Sequence, residues 1–166
     1  AAPRFTDVVI GQANLPERQR DSADGTHRSR DAALESLRAK TSAERMAFWK
    51  DELSRCVKCY ACRQVCPLCY CERCIVDKNQ PTVIDTSATL KGNFAWHITR
   101  AFHLAGRCVG CDRCTAVCPA GIDLRLLNLS LAEAAERHFG YRPGMDLDAE
   151  PIVGVYSIQD REDFIR

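Results

Sequence analysis

Eleven cysteines stand in this chain of 166 residues, and all of them fall between Cys56 and Cys118. Eight of them form two copies of one pattern. Cys56, Cys59, Cys62 and Cys66 read C-x2-C-x2-C-x3-C before Pro67, and Cys108, Cys111, Cys114 and Cys118 repeat it before Pro119. Three thiolates spaced in this way curve round a tight loop that matches three corners of an iron–sulfur cubane. The fourth already turns away, toward a neighbouring cluster. Proline fixes φ and removes an N–H, which helps to separate that fourth cysteine from the first three. The spacing therefore predicts one [4Fe-4S] cluster on Cys56, Cys59, Cys62 and Cys118. It predicts a second on Cys108, Cys111, Cys114 and Cys66.

Other uses of cysteine fit less well. Zinc sites take paired C-x2-C knuckles across a spacer and do not need three cysteines in one loop with a trailing C-P. The local piece Cys66-Pro-Leu-Cys69 does look like such a knuckle. A disulfide scaffold belongs to small exported chains, and an odd cysteine count would leave a thiol over. Ala1–Arg20 has no apolar core of signal-peptide length. A reducing, cytoplasmic setting is expected.

Cys69, Cys71 and Cys74 remain. They could be spare thiols beside a metal site. Exposed reactive thiols oxidise, however, and three within six residues are better explained as ligands. The triad predicts a third metal centre, iron–sulfur rather than zinc. As a [4Fe-4S] cluster it would need one more ligand, from a partner subunit or from a side chain such as Asp77, His97 or His103.

The rest of the chain must position these loops. Hydrophobic residues make up 46% of the chain, but 20 of them are Ala and 11 are Cys. That is a thin supply for an ordinary core. Two clusters that exchange their fourth ligands would cross-link distant sequence, so that metal-binding free energy becomes folding free energy. Net charge is +1, which does not suggest a nucleic-acid binder. Residues 56–121 carry 8 basic and 4 acidic side chains, a positive excess suited to anionic metal–thiolate groups. No apolar run is long enough to span a membrane.

The expected fold class is mainly α, with cubane loops between helices and extended arms at both ends. Residues 1–40 read as an arm with a partly helical segment over 27–40 that docks on a partner; 41–140 as the cluster domain; 141–166 as a tail. Thr41-Ser-Ala-Glu44 fits a capping box. Met46, Trp49, Leu53 and Val57 follow at helical spacing. Ser87 to Gly106 reads helical, on a stripe of Leu90, Phe94, Ile98, Ala101 or Phe102, and Ala105, with Gly106 as its stop. Asp123 caps a helix that runs to Phe139, with Leu124, Leu127, Leu131 and Ala134 or Ala135 on its buried face and Gly140 at its end. Val153-Gly-Val-Tyr156 reads as a short strand. Val57, Tyr60, Val65, Val109 and Val117, lying between ligands, are expected to shield the clusters from water.

The doubled motif with a long helical spacer resembles the α-helical ferredoxin fold of the iron–sulfur subunits of succinate dehydrogenases and fumarate reductases, and of the small subunit of heterodisulfide reductases. Arg100-Ala-Phe-His-Leu-Ala-Gly-Arg-Cys-Val-Gly-Cys-Asp-Arg-Cys114, with Phe139-Gly-Tyr-Arg-Pro-Gly144, resembles a narrower group. These are small 4Fe-4S dicluster electron-transfer subunits of heterodisulfide-reductase-like, hydrogenase, formate dehydrogenase and sulfite reductase systems. The iron–sulfur subunit of tungsten-dependent class II benzoyl-CoA reductase looks like a member. The resemblance covers about residues 45–156, and the triad Cys69, Cys71, Cys74 departs from the simplest pattern. It implies a non-catalytic subunit that relays single electrons to or from a larger tungsten, molybdenum, heterodisulfide-reductase-like, hydrogenase or formate dehydrogenase partner. An electron-donor subunit or ferredoxin would serve it. No G-x-G-x-x-G, P-loop or H-E-x-x-H occurs. The competing expectations are a free-standing soluble ferredoxin and a redox-sensing regulator. Residues 67–80 are expected near the catalytic partner, with the 1–26 arm along its surface.

Overall fold

The computed structural model describes residues 31–152, together with Gly154, Val155 and Ile158. The 1–26 arm, with Val153 and Tyr156 of the strand expected over 153–156, lies outside the described residues, and Gly154 and Val155 between them are not in a strand. Among the described residues the regular structure is helical, and a single isolated bridge, Asn79 with Thr82, stands in place of any sheet. Residues 31–39 are helical and are here called α1. Then come α2 (Ser42–Ser54), the one-turn α3 (Ala61–Gln64), a 3-10 turn (Ile75–Asp77), α4 (Leu90–Leu104), the one-turn α5 (Arg113–Ala116) and α6 (Leu124–Phe139).

The long helices start where the sequence supplies caps. Thr41 Oγ1 accepts the Glu44 N–H at 3.3 Å while the Glu44 carboxylate accepts the Thr41 N–H at 2.7 Å, a complete capping box. Thr89 accepts from the Gly92 N–H and Asp123 from the Leu126 N–H, opening α4 and α6. Gly140, at φ 65°, ends α6 in the left-handed region that glycine takes without steric cost. Thr41→Ala should lower the stability of the iron-loaded protein by about 1 kcal/mol. An anaerobic urea titration should show the lower midpoint with iron content unchanged.

Packing divides into two zones. Leu34 and Leu37 of α1, Trp49 of α2, Ala101 of α4, and Leu126 and Leu127 of α6 form an apolar core, with Phe94, Ile98 and Leu131 against it. Arg38 of α1 reaches Glu133 of α6 at 2.8 Å on the rim. Leu53, Cys62, Ile122 and Leu124 form the second zone, which is bordered by Cys56, Cys114 and Cys118. Leu53 and Ile122 are fully buried there, so the end of α2 is locked to the segment just after Cys118. Hydrophobic packing thus brings two cysteine loops together that are about fifty residues apart in sequence.

Some expectations change. Met46 and Val57 do not share the buried face of Trp49 and Leu53; they are 45% and 63% exposed. The helix over 87–106 is shorter, because Thr89 caps it and Ser87 is engaged with Asp85. Phe102 and Leu90 lie exposed. Gly106 is not a left-handed stop: its role is close approach, since a Cβ there would lie 2.6 Å from Ile152 Cγ1.

Candidate metal centre

The two cysteine loops share one backbone plan. The residue two after the first cysteine and the residue after the second both take left-handed φ: Lys58 (56°) and Tyr60 (58°) in one loop, Gly110 (72°) and Asp112 (64°) in the other. Each loop then enters a one-turn helix that carries the third cysteine, and the fourth follows the helix cap. Side chains hold this backbone where it is not glycine. Lys58 Nζ donates to the carbonyls of Gly92 (2.9 Å) and Asp85 (3.3 Å). Tyr60 packs edge-on against Trp96 at 5.3 Å between centroids, and Asp112 pairs with Arg125 at 3.2 Å. At Gly110 the side chain of Leu129 lies where a Cβ would be, 2.9 Å away.

This plan aims main-chain N–H groups at sulfur, as concave backbone nests do for anions. The Lys58 N–H lies 3.4 Å from Cys56 Sγ, and the equivalent Gly110 N–H bonds Cys108. Side chains of α4 and α6 add donors. His97 Nε2 is 3.2 Å from Cys56 Sγ, and Asn128 Nδ2 is 3.7 Å from Cys114 Sγ. Asn93 Nδ2 donates to the carbonyls of Leu53 (3.1 Å) and Cys56 (2.8 Å), which fixes the exit of α2 into the first loop.

Two cavities result. One is lined by Cys56, Cys59, Cys62 and Cys118, with Trp96, His97 and Ile122 around them. The other is lined by Cys108, Cys111, Cys114 and Cys66, with Arg100, Leu104 and Asn128. Each takes three cysteines from one motif and the trailing cysteine from the other. Among the described residues, no three His, Cys, Asp or Glu side chains crowd close enough to share a single ion. A cubane spreads its ligand sulfurs more widely than a lone zinc on bonds of ~2.3 Å. Four thiols facing each cavity, with N–H groups aimed at sulfur, fit a [4Fe-4S] cluster.

Arg100, 3% exposed, lines the second cavity and reaches back to the first loop. Its Nη2 donates to the Cys62 carbonyl at 3.1 Å, while its Nε is buried without a partner among the described residues. Burial alone would push the guanidinium down, but the thiols of Cys62, Cys69, Cys114 and Cys66 hold it above its ordinary value. Burial also pushes the Cys62 thiol up to about 11, with Arg100 partly opposing. Cys56, Cys108 and Cys114 are raised for the same first reason. Bare thiols here hold their protons at neutral pH, so loading of metal must release them. Burial, then the charges of Arg100 and Lys58, bring His97 down to about 4. Its ring is neutral, and once Cys56 is a metal-bound thiolate the Nε2–H tautomer is the one that can donate to its sulfur.

The expected shielding residues are only partly in place. Val57 lines the first cavity and Val109 the second, although both keep more than half their surface exposed, and Val117 is 39% exposed. Tyr60 and Val65 are half-buried. The inner walls are Trp96, Leu104, Ile122 and Leu124, all buried. Of the residues considered as a fourth ligand for the triad, His97 stands at Cys56 instead. Asp77 and His103 line a third cavity together with Cys69, Cys71 and Cys74. Arg100, Asn93 and Asn128 were not expected at the site. Their only signal is a polar residue on a helix face that otherwise reads as buried.

Residues 52–122 match the family model of the 4Fe-4S dicluster domain. The match takes in all eleven cysteines, from Cys56 to Cys118. The frame of helices is the expected α-helical ferredoxin architecture, and the two cofactors are [4Fe-4S] clusters. A stretch of 108 residues, 64% of the chain, is 31% identical to F420-dependent formate dehydrogenase subunit beta of Methanocaldococcus jannaschii and covers 28% of that protein. A stretch of 106 residues is 34% identical to F420-dependent formate dehydrogenase 1 subunit beta of Methanococcus maripaludis and covers 27% of it. The chain spans little more than a quarter of the length of these relatives.

Proposed function

We propose that this chain is an iron–sulfur electron-transfer subunit, relaying single electrons to or from the catalytic subunit of a multisubunit anaerobic oxidoreductase. The carrying observation is the pair of four-cysteine cavities, each completed by the trailing cysteine of the other motif. Cys56, Cys59, Cys62 and Cys118 would hold one cluster, and Cys108, Cys111, Cys114 and Cys66 the other. When bound, the clusters supply one-electron chemistry at potentials set by burial, charge and hydrogen bonds to sulfur. The chain's own residues set those terms. Lys58 and Gly110 donate main-chain N–H groups, and His97 and Asn128 donate from side chains. Trp96, Ile122 and Leu104 exclude water, and Arg100 places one fixed positive charge beside thiols of both sites. No organic substrate is needed on this chain.

Among possible partners, the two relatives favour a formate dehydrogenase over a hydrogenase or a heterodisulfide-reductase-like enzyme. The reading includes a cytoplasmic setting, supported by eleven free cysteines, since such thiols persist in reducing compartments. No helix among the described residues is long and apolar enough to cross a membrane. Residues 67–80, whose Tyr70 is 67% exposed, would lie toward the catalytic partner, with the 1–26 arm along it.

The native complex tests the proposal. Cys111→Ala should cut turnover with the physiological electron carrier by ~100-fold or more. Reduction of an artificial dye by the catalytic subunit should persist, as a difference of ~3 kcal/mol confined to the relay. Native protein that runs without a second subunit would favour the free ferredoxin instead. A salt-dependent shift of DNA by the iron-loaded protein would favour the regulator.

A further inference from the structure

The third cavity gathers Cys69, Cys71 and Cys74 with Asp77 and His103 against one end of α4. The segment that carries the triad is ordered by its own turns. The Cys69 N–H bonds the Cys66 carbonyl at 3.1 Å, and the Asp77 N–H bonds the Cys74 carbonyl at 3.0 Å. Between these turns, Arg107 stacks over the Tyr70 ring at 4.9 Å, which holds the Cys69–Cys71 stretch over the helix end. Trp96, Arg100 and His103 recur at intervals of four and three, so α4 presents them on one face, and Arg107 lies in the turn just past the helix. Three guanidinium groups, Arg63, Arg100 and Arg107, line the space. The side chain of Arg100 is almost fully buried and its Nε has no partner among the described residues. That surplus of positive charge suits an anionic metal–thiolate group.

The fourth ligand can be chosen by what each candidate already does. His97 is committed to Cys56 at 3.2 Å, in another cavity. Asp77 receives Arg63 Nη1 on both carboxylate oxygens at 2.9 Å. His103 faces the same cavity and makes no hydrogen bond among the described residues. We propose that Cys69, Cys71, Cys74 and His103 bind a third [4Fe-4S] cluster. Zinc, which takes the same sulfur and imidazole ligands, is the alternative occupant, and metal analysis tells the two apart. Cys69 lies beside Cys66 of the second site, with Arg100 next to both. The third cluster would therefore extend the relay from the second toward the exposed side of the chain, where Cys71 lies.

This inference rests on the dicluster reading, and the two fail on different results. The test is iron and acid-labile sulfide per chain in the anaerobically purified native protein, with EPR of the reduced form. Cys71→Ala should remove about four irons and one spin while the signals of the dicluster persist. His103→Cys should keep that iron and shift only the third signal; His103→Ala should make the same iron labile to a chelator. Unchanged iron in Cys71→Ala, loss of one zinc in its place, or a His103→Cys spectrum identical to that of the parent would overturn the proposal. The dicluster reading would instead fail if Cys111→Ala kept all its iron.

Discussion

Replacing Cys118 with alanine should empty the cavity lined by Cys56, Cys59 and Cys62, although Cys118 closes the other motif. The expected loss is about four irons per chain, with the iron of the Cys108, Cys111, Cys114 and Cys66 site retained. The reason is geometric. Ile122, four residues after Cys118, is fully buried against Leu53, three residues before Cys56. That packing delivers Cys118 to the first loop. The effect on folding should be large, because metal-binding free energy in such sites is folding free energy. A loss of several kcal/mol would lower the thermal midpoint by ~10 °C or more. Cys111→Ser should take the iron of the opposite site and leave Cys118 in place. Iron analysis and anaerobic thermal melts of both variants check the pair. Loss of the second-site iron in Cys118→Ala would mean that each motif keeps its own cluster.

Arg100→Met is the second large effect. Methionine has similar length and can occupy the same channel, but the charge shared by Cys62, Cys69, Cys66 and Cys114 disappears. A cation near a cluster favours the electron-rich state, so its removal should lower the reduction potential. At ~6 Å and an effective dielectric of ~20, a unit charge is worth ~3 kcal/mol, or on the order of 100 mV. The protein should also be destabilised by about 3 kcal/mol, since buried anionic sites lose their compensating charge. A potentiometric EPR titration checks the sign. Potentials that stay within ~20 mV of the parent would show that solvent screens the sites more than the burial of Arg100 indicates.

The elements that carry chemistry were readable because chemistry constrains spacing tightly. The doubled cysteine pattern placed both loops, and Thr41-Ser-Ala-Glu44, Asp123 and Gly140 marked helix ends through hydrogen bonds that are local in sequence. What stayed hidden depends on the third dimension. Helix α4 has two buried faces. Phe94, Ile98 and Ala101 make the apolar stripe that periodicity detects, whereas Asn93, Trp96, His97 and Arg100 make a polar face turned to the cysteine loops. In a linear reading a buried Arg or Asn looks like a solvated one, so Arg100 and Asn128 were missed. The valines between the ligands were legible in part. Apolar character suggested shielding, and Val57 and Val109 do line the two cavities, but the loops also leave much of both side chains exposed. Gly106 at the end of a helix suggested a left-handed cap, while contact with Ile152, 46 residues on, is what requires the missing Cβ.

The most direct test of the central claim is quantitative EPR of the reduced native protein, beside Cys59→Ala and Cys111→Ala. Two clusters held in adjacent cavities should give spins that broaden one another. Each single variant should remove one spin and sharpen the signal of the surviving partner. Spectra that show no mutual broadening in the parent, and that lose neither spin in either variant, would contradict the account of a two-cluster relay built on these loops.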